Sequence, residues 1–153
     1  MRGRGTWAAV LAVVAVASAT GCGQEERPAK AAPEVRRDEA PITSRVPQLG
    51  DVESVEWTYE PLGVADERVP GPTDRELRGF ARLTEGDVRR LVEEYTWVDA
   101  SAAPSATPSG SAAGTRWRSS RGFDAAAGKK AEAAEFRLDT AGRVMTFRLL
   151  NPS

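Results

Sequence analysis

The residues able to do chemistry in this 153-residue chain are carboxylates and arginines, because histidine is absent and cysteine occurs once. Without an imidazole, Ser-His-Asp and Cys-His catalysis are excluded, as are zinc sites and haem ligation by the usual ligands. No GxSxG, GxxxxGK(S/T), GxGxxG or DxDxDG pattern occurs, so no cofactor is expected. Asp51, Glu53, Glu56, Glu60, Asp66 and Glu67 form an acidic run whose only base through residue 70 is Arg68. A glycosidase needs two carboxyls at a defined separation, and nothing in this spacing fixes one. Asp139, in Asp139-Thr140-Ala141-Gly142, would be half of a two-carboxylate site sharing a proton, yet the chain holds one copy, and these residue types are what a hairpin turn asks for. Binding chemistry is the remaining option. Arg78, Arg82, Arg137 and Arg148, with Phe80 among them, could grip an anionic envelope polymer, a lipid headgroup or an acidic protein surface. Alternation by itself also produces solvated faces of this kind, with Glu76 and Glu135 as cross-strand partners.

Strands must position those arginines. In Arg75 to Leu83, Leu77, Gly79, Ala81 and Leu83 alternate with Glu76, Arg78, Phe80 and Arg82, and the small pair Gly79 and Ala81 would let a helix approach closely. Asp51 to Tyr59 reads as a shorter strand, and Pro61 to Asp74 as a connecting loop. A helix is expected over 84–95: Thr84 with Asp87 three residues on is a capping pattern, and Val88, Leu91, Val92 and Tyr95 recur at helical spacing. On its outer side Arg89 and Arg90 stand four residues before Glu93 and Glu94. Asp124 to Ala134 has the composition of a short helix interrupted by Gly128. The segments "EFRLD" and "VMTFRLL" form a hairpin in which a two-residue loop at Ala141-Gly142 pairs Leu138 with Met145 and Phe136 with Phe147. The expected fold is α+β, a small sheet of three or more mostly antiparallel strands with one packed helix. Its core is Leu77, Leu83, Val88, Leu91, Val92, Tyr95, Phe136, Leu138, Met145, Phe147 and Leu149.

The start of the chain has a separate logic. Arg2 and Arg4 precede an apolar run from Trp7 to about Ala19, followed by small residues, which is the layout of an export signal. That run is too short to cross a bilayer as a helix. Ala19-Thr20-Gly21-Cys22 resembles the processing box of bacterial lipoproteins. The resemblance implies removal of residues 1–21, diacylglyceryl modification of Cys22 and anchoring on the extracytoplasmic face of the cell membrane. Ala17-Ser18-Ala19 also reads as an ordinary A-x-A cleavage site, which would release a soluble protein with a free thiol. The segments "GPTDRELRGFARL" and "FRLDTAGRVMTFRLLNP" look like those of small exported lipoproteins of high-G+C bacteria, a likeness that implies no activity and transfers no functional residue.

Residues 22–48 carry Pro28, Pro33, Pro41 and Pro47 among balanced charges and are expected to be a flexible tether, reaching roughly 28 Å as a random coil. Residues 49–153 form one domain, interrupted at 99–115 by an Ala/Ser/Thr/Pro/Gly segment expected to be disordered and able to accept O-linked sugars. The pieces on either side are too small to hold separate cores, so they fold together. From Cys22 onward 19 basic residues face 22 acidic ones, a balance of −3 that argues against nucleic acid as a partner. The expectation is a membrane-anchored, non-enzymatic interaction module that meets an envelope polymer or protein through the arginine face. The alternative is a small carboxylate-dependent hydrolase of envelope polymer or glycan.

Overall fold

The structure is a computed structural model and describes residues 32–62, 74–105 and 115–153. Six strands make one sheet: β1 (Val52–Pro61), β2 (Arg75–Leu83), β3 (Val98–Asp99), β4 (Arg118–Ser119), β5 (Ala133–Asp139) and β6 (Val144–Leu150). Their order is β1-β2-β6-β5-β4-β3, and every neighbouring pair is antiparallel. With α1 (Ala40–Arg45), α2 (Glu85–Glu94) and α3 (Arg121–Ala127) this is an α+β fold. Where sequence periodicity points to one packed helix, three contribute buried side chains to the same core: Ile42 from α1, Val88 and Leu91 from α2, Phe123 and Ala127 from α3.

Alternation decides which side of the sheet those helices cover. Val55 and Trp57 of β1, Leu77, Ala81 and Leu83 of β2, Phe136 and Leu138 of β5, and Met145, Phe147 and Leu149 of β6 all point into one cluster. The pairings Phe136 with Phe147 and Leu138 with Met145 hold the hairpin in the expected register. Its loop is longer than expected. The ladder ends at Asp139 and Val144, Thr140–Arg143 form a four-residue turn, and the left-handed residue is Arg143 at φ 55°. Asp139 Oδ1 accepts from the Ala141 N–H at 3.0 Å, and this local clamp favours the wider turn.

The helix over 84–95 forms at Glu85–Glu94 with Thr84 as its N-cap, whose hydroxyl accepts from the Asp87 N–H at 3.1 Å and donates to the Asp87 carboxylate. Arg90 meets Glu94 at 3.3 Å, but Arg89 turns back to Glu85 at 3.0 Å rather than to Glu93. Glu four residues before Arg is the favoured order, and Glu85 in the first turn also complements the helix dipole. Val92, an expected core residue, is 40% exposed, while Tyr95 is partly buried against the cluster. Trp97 replaces Val92 in the interior, and its indole N–H caps the Leu91 carbonyl at 2.9 Å. The second helical stretch begins earlier than its composition suggests. Ser120 caps α3 by accepting from the Phe123 N–H at 3.3 Å, α3 stops before Gly128, and Ala133 and Ala134 already belong to β5.

The largest departure lies before residue 49. Residues 36–48, expected as part of a flexible tether, are ordered onto the domain, whereas 22–31 lie outside the described residues. Arg36 exchanges two backbone hydrogen bonds with Trp57 (2.8 and 2.9 Å), extending the sheet beyond β1. Ile42, Val46 and Leu49 are each at most 1% exposed. Pro41 suits the first turn of α1 and Pro47 the following 3₁₀ turn, where no N–H is needed, so these prolines start helices instead of preventing them. Gly50 then takes φ +76°, which a side chain resists. Gly79 also admits a close neighbour, but the neighbour is β1: a Cβ there would collide with the Glu56 carbonyl and Trp57, not with a helix. Within the segment expected to be disordered at 99–115, Asp99 belongs to β3 and the Ala100 N–H donates to the Trp117 carbonyl at 2.8 Å. Residues 106–114, with Thr107, Ser109 and Ser111 among the hydroxyls expected to accept sugars, lie outside the described residues, as does the loop at 63–73.

Candidate functional site

The sheet face opposite the helices carries the four arginines together, as alternation requires. Arg78 and Arg148 are direct cross-strand partners, Arg82 lies near the C-terminal end of β2 across from Val144, and Arg137 sits across from Thr146. Side by side, two guanidinium groups repel unless an acid intervenes. Glu76, 7% exposed, supplies it: its carboxylate pairs with Arg148 and stands 3.8 Å from Arg78, which also reaches Glu60 at 3.4 Å. Arg137 pairs with Glu135 at 3.0 Å and donates to its neighbour's carbonyl, Phe136 O, at 2.9 Å. Three of the four arginines thus have carboxylate partners. Arg82 holds none among the described residues and donates to Gly142 O at 3.1 Å. Phe80, partly exposed, lies between two cavities of about 410 and 660 Å³ that share it with Glu56; Ser105 enters the first and Arg82 the second.

Among the described residues the acidic run does not assemble into a carboxylate pair. Glu53 meets Arg143 at 2.6 Å, Glu56 meets Arg37 at 3.0 Å and Glu60 meets Arg78, while Asp66 and Glu67 lie outside the described residues. Asp139 serves its turn. No cluster of three metal-ligating side chains occurs among the described residues. No helix among them is long and apolar enough to cross a membrane. Cys22 lies outside the described residues.

A second candidate was not visible from spacing, because four separate elements build it. An open cleft of about 930 Å³ lies between the C-terminal end of α2, β3, the N-terminal end of α3 and the edge of β5. β4 pairs with β5 only at Leu138, so the rest of that β5 edge has no strand beside it. Asp124 covers the gap, its Oδ1 accepting from the Phe136 N–H at 3.1 Å. Burial pushes the Asp124 carboxyl up, with the Phe136 N–H and Arg137 offsetting only part of the effect. Tyr95 lines the same cleft, its hydroxyl also raised, first by burial and then by Glu94. Tyr95 is held edge-on to Phe123 at 5.2 Å, and Phe123 packs against Phe136 at 5.0 Å. The only sequence signal for this site is Ser120 with Phe123, which marks the start of α3 a few residues before the alanine run.

Comparison with protein-family models, with curated proteins and with solved structures finds no match for this chain.

Proposed function

We propose that this chain is an exported, lipid-anchored, non-enzymatic interaction module of the cell envelope, held to the membrane through Cys22 and binding an envelope polymer or protein through the outer face of its sheet. One observation supports the binding reading: the helices occupy one face, and the other presents partly exposed Phe80 beside Arg82, whose guanidinium has no carboxylate among the described residues. An unpaired guanidinium keeps donors available for a carboxylate or phosphate, and an adjacent ring adds apolar contact area. Arg78, Arg137 and Arg148 act differently in this reading. Their glutamate partners make the remainder of the face charge-balanced, so it sets the register of a partner instead of attracting polyanions indiscriminately.

The test uses full-length chain carrying Cys22→Ala, which removes the lipid contribution, mixed with isolated envelope. Saturable binding that falls with salt and weakens about tenfold in Arg82→Glu and in Phe80→Ala, with circular dichroism unchanged, is the expected result. Binding indifferent to salt and to both substitutions would remove the outer face from the proposal. A carboxylate-dependent hydrolase is the second reading, favoured by Asp124, which lines the cleft and whose carboxyl burial pushes up, the direction a general acid requires. Release of soluble fragments from wall glycan by the wild type and not by Asp124→Asn would select it.

A further inference from the structure

We propose that the cleft between α2, β3 and α3 is a saccharide-binding site, reached by Arg137 at its β5 edge but by none of Arg78, Arg82 and Arg148. Its shape is the first argument. At about 930 Å³ it can hold two or more sugar rings, and it opens to solvent along one side, so a longer chain could pass through. The lining is the second. Ser101, Ser119 and Thr96 contribute hydroxyls, which donate and accept, while Asp99 and Arg121 contribute an acceptor-only and a donor-only group. Neither Asp99 nor Arg121 forms an ion pair among the described residues, so both remain available to a ligand that offers donors and acceptors on adjacent atoms. Vicinal hydroxyls do that. Glu94, Asp99 and Asp124 stand there against Arg121 and Arg137, an excess of acid that disfavours a polyanion, and an apolar ligand would leave these charges desolvated. Tyr95 supplies the remaining element of sugar recognition, an aromatic ring for the C–H face of a pyranose, and its contact with Phe123 fixes its position. The scaffold is rigid where it matters, since Trp97 and Phe123 lie fully in the core beneath the cleft.

Isothermal titration of the detergent-solubilised full chain against chitotetraose, maltotetraose and cellotetraose tests this, with inorganic phosphate and a tetra-alanine peptide as controls. Saturable binding of at least one tetrasaccharide, weakened about tenfold by Asp99→Ala and by Arg121→Ala, is expected; both residues are exposed, so the fold stays intact. Arg82→Glu leaves this binding unchanged, so loss of the outer-face function and loss of the cleft function are distinguishable. Absence of saturable binding by all three sugars up to about 10 mM, preference for phosphate or peptide, or binding unaffected by both cleft substitutions would overturn the proposal.

Discussion

Asp87 shows how much one side chain can be asked to do. Burial pushes its carboxyl up, but the Thr84 hydroxyl and the Arg90 guanidinium at 3.0 Å together outweigh burial and hold it below its usual value of 3.8. Arg90 also donates to the Gln48 carbonyl at 2.9 Å, so the same cluster ties α2 to the N-terminal arm. A carboxyl with a lowered folded pKa contributes stability above its unfolded pKa, and that contribution is lost as pH falls through the folded value. Asp124 has the opposite sign: with its folded pKa raised, its contribution declines as pH rises from its unfolded to its folded value. Urea unfolding at several pH values between about 3 and 7 checks both signs. Asp87→Asn should lose less stability than wild type on acidification, and Asp124→Asn should gain relative to wild type as pH rises. Parallel curves for all three proteins would show that neither carboxylate is coupled to folding.

At the scale of elements, the N-terminal arm is part of the domain. It adds a backbone bridge to β1, places Ile42, Val46 and Leu49 in the core, and reaches α3 through Gln48, whose side-chain amide donates to Ala126 O at 3.0 Å. Ile42→Ala removes a fully buried side chain and should cost about 2–5 kcal/mol in a chemical denaturation experiment. A chain starting at residue 49 should lack a cooperative transition, because α2, α3 and β1 would each expose apolar surface that the arm now covers. A cooperative transition of unchanged midpoint in that truncated chain would contradict this. The arm escapes sequence reading for a definite reason. α1 has six residues, too few for periodicity to register, and it sits among prolines and charges that in isolation describe an unfolded segment. By contrast α2 was legible because its cap and its apolar spacing are both local.

For the whole molecule, the question is how much chain separates the folded domain from Cys22. With the domain ordered from about residue 36, only some 14 residues separate it from Cys22, about half of the 22–48 stretch expected as a tether. Under the proposed acylation of Cys22, two or more acyl chains would make the attachment lasting. Intact mass of membrane-extracted protein decides the matter. The expected mass is the chain from Cys22 plus acyl chains, and Cys22→Ala should appear unacylated in the medium. A mass beginning at Thr20 with a free thiol would instead establish a released protein.

By itself the sequence determined whatever depends on near neighbours. The α+β class, the register of the β5–β6 hairpin, the capped α2 and the common face of Arg78, Arg82, Arg137 and Arg148 all follow from alternation, helical spacing and turn chemistry within a few residues. Only tertiary structure decided what depends on distant segments. Glu135 pairs with Arg137 of its own strand whereas Glu76 reaches across to Arg148 as expected, Gly79 makes room for β1 instead of a helix, Trp97 takes the interior place that periodicity gives to Val92, and the cleft gathers side chains from α2, β3, α3 and β5. Such pairings are set by which strands become neighbours in the sheet, and local pattern carries no information about strand order.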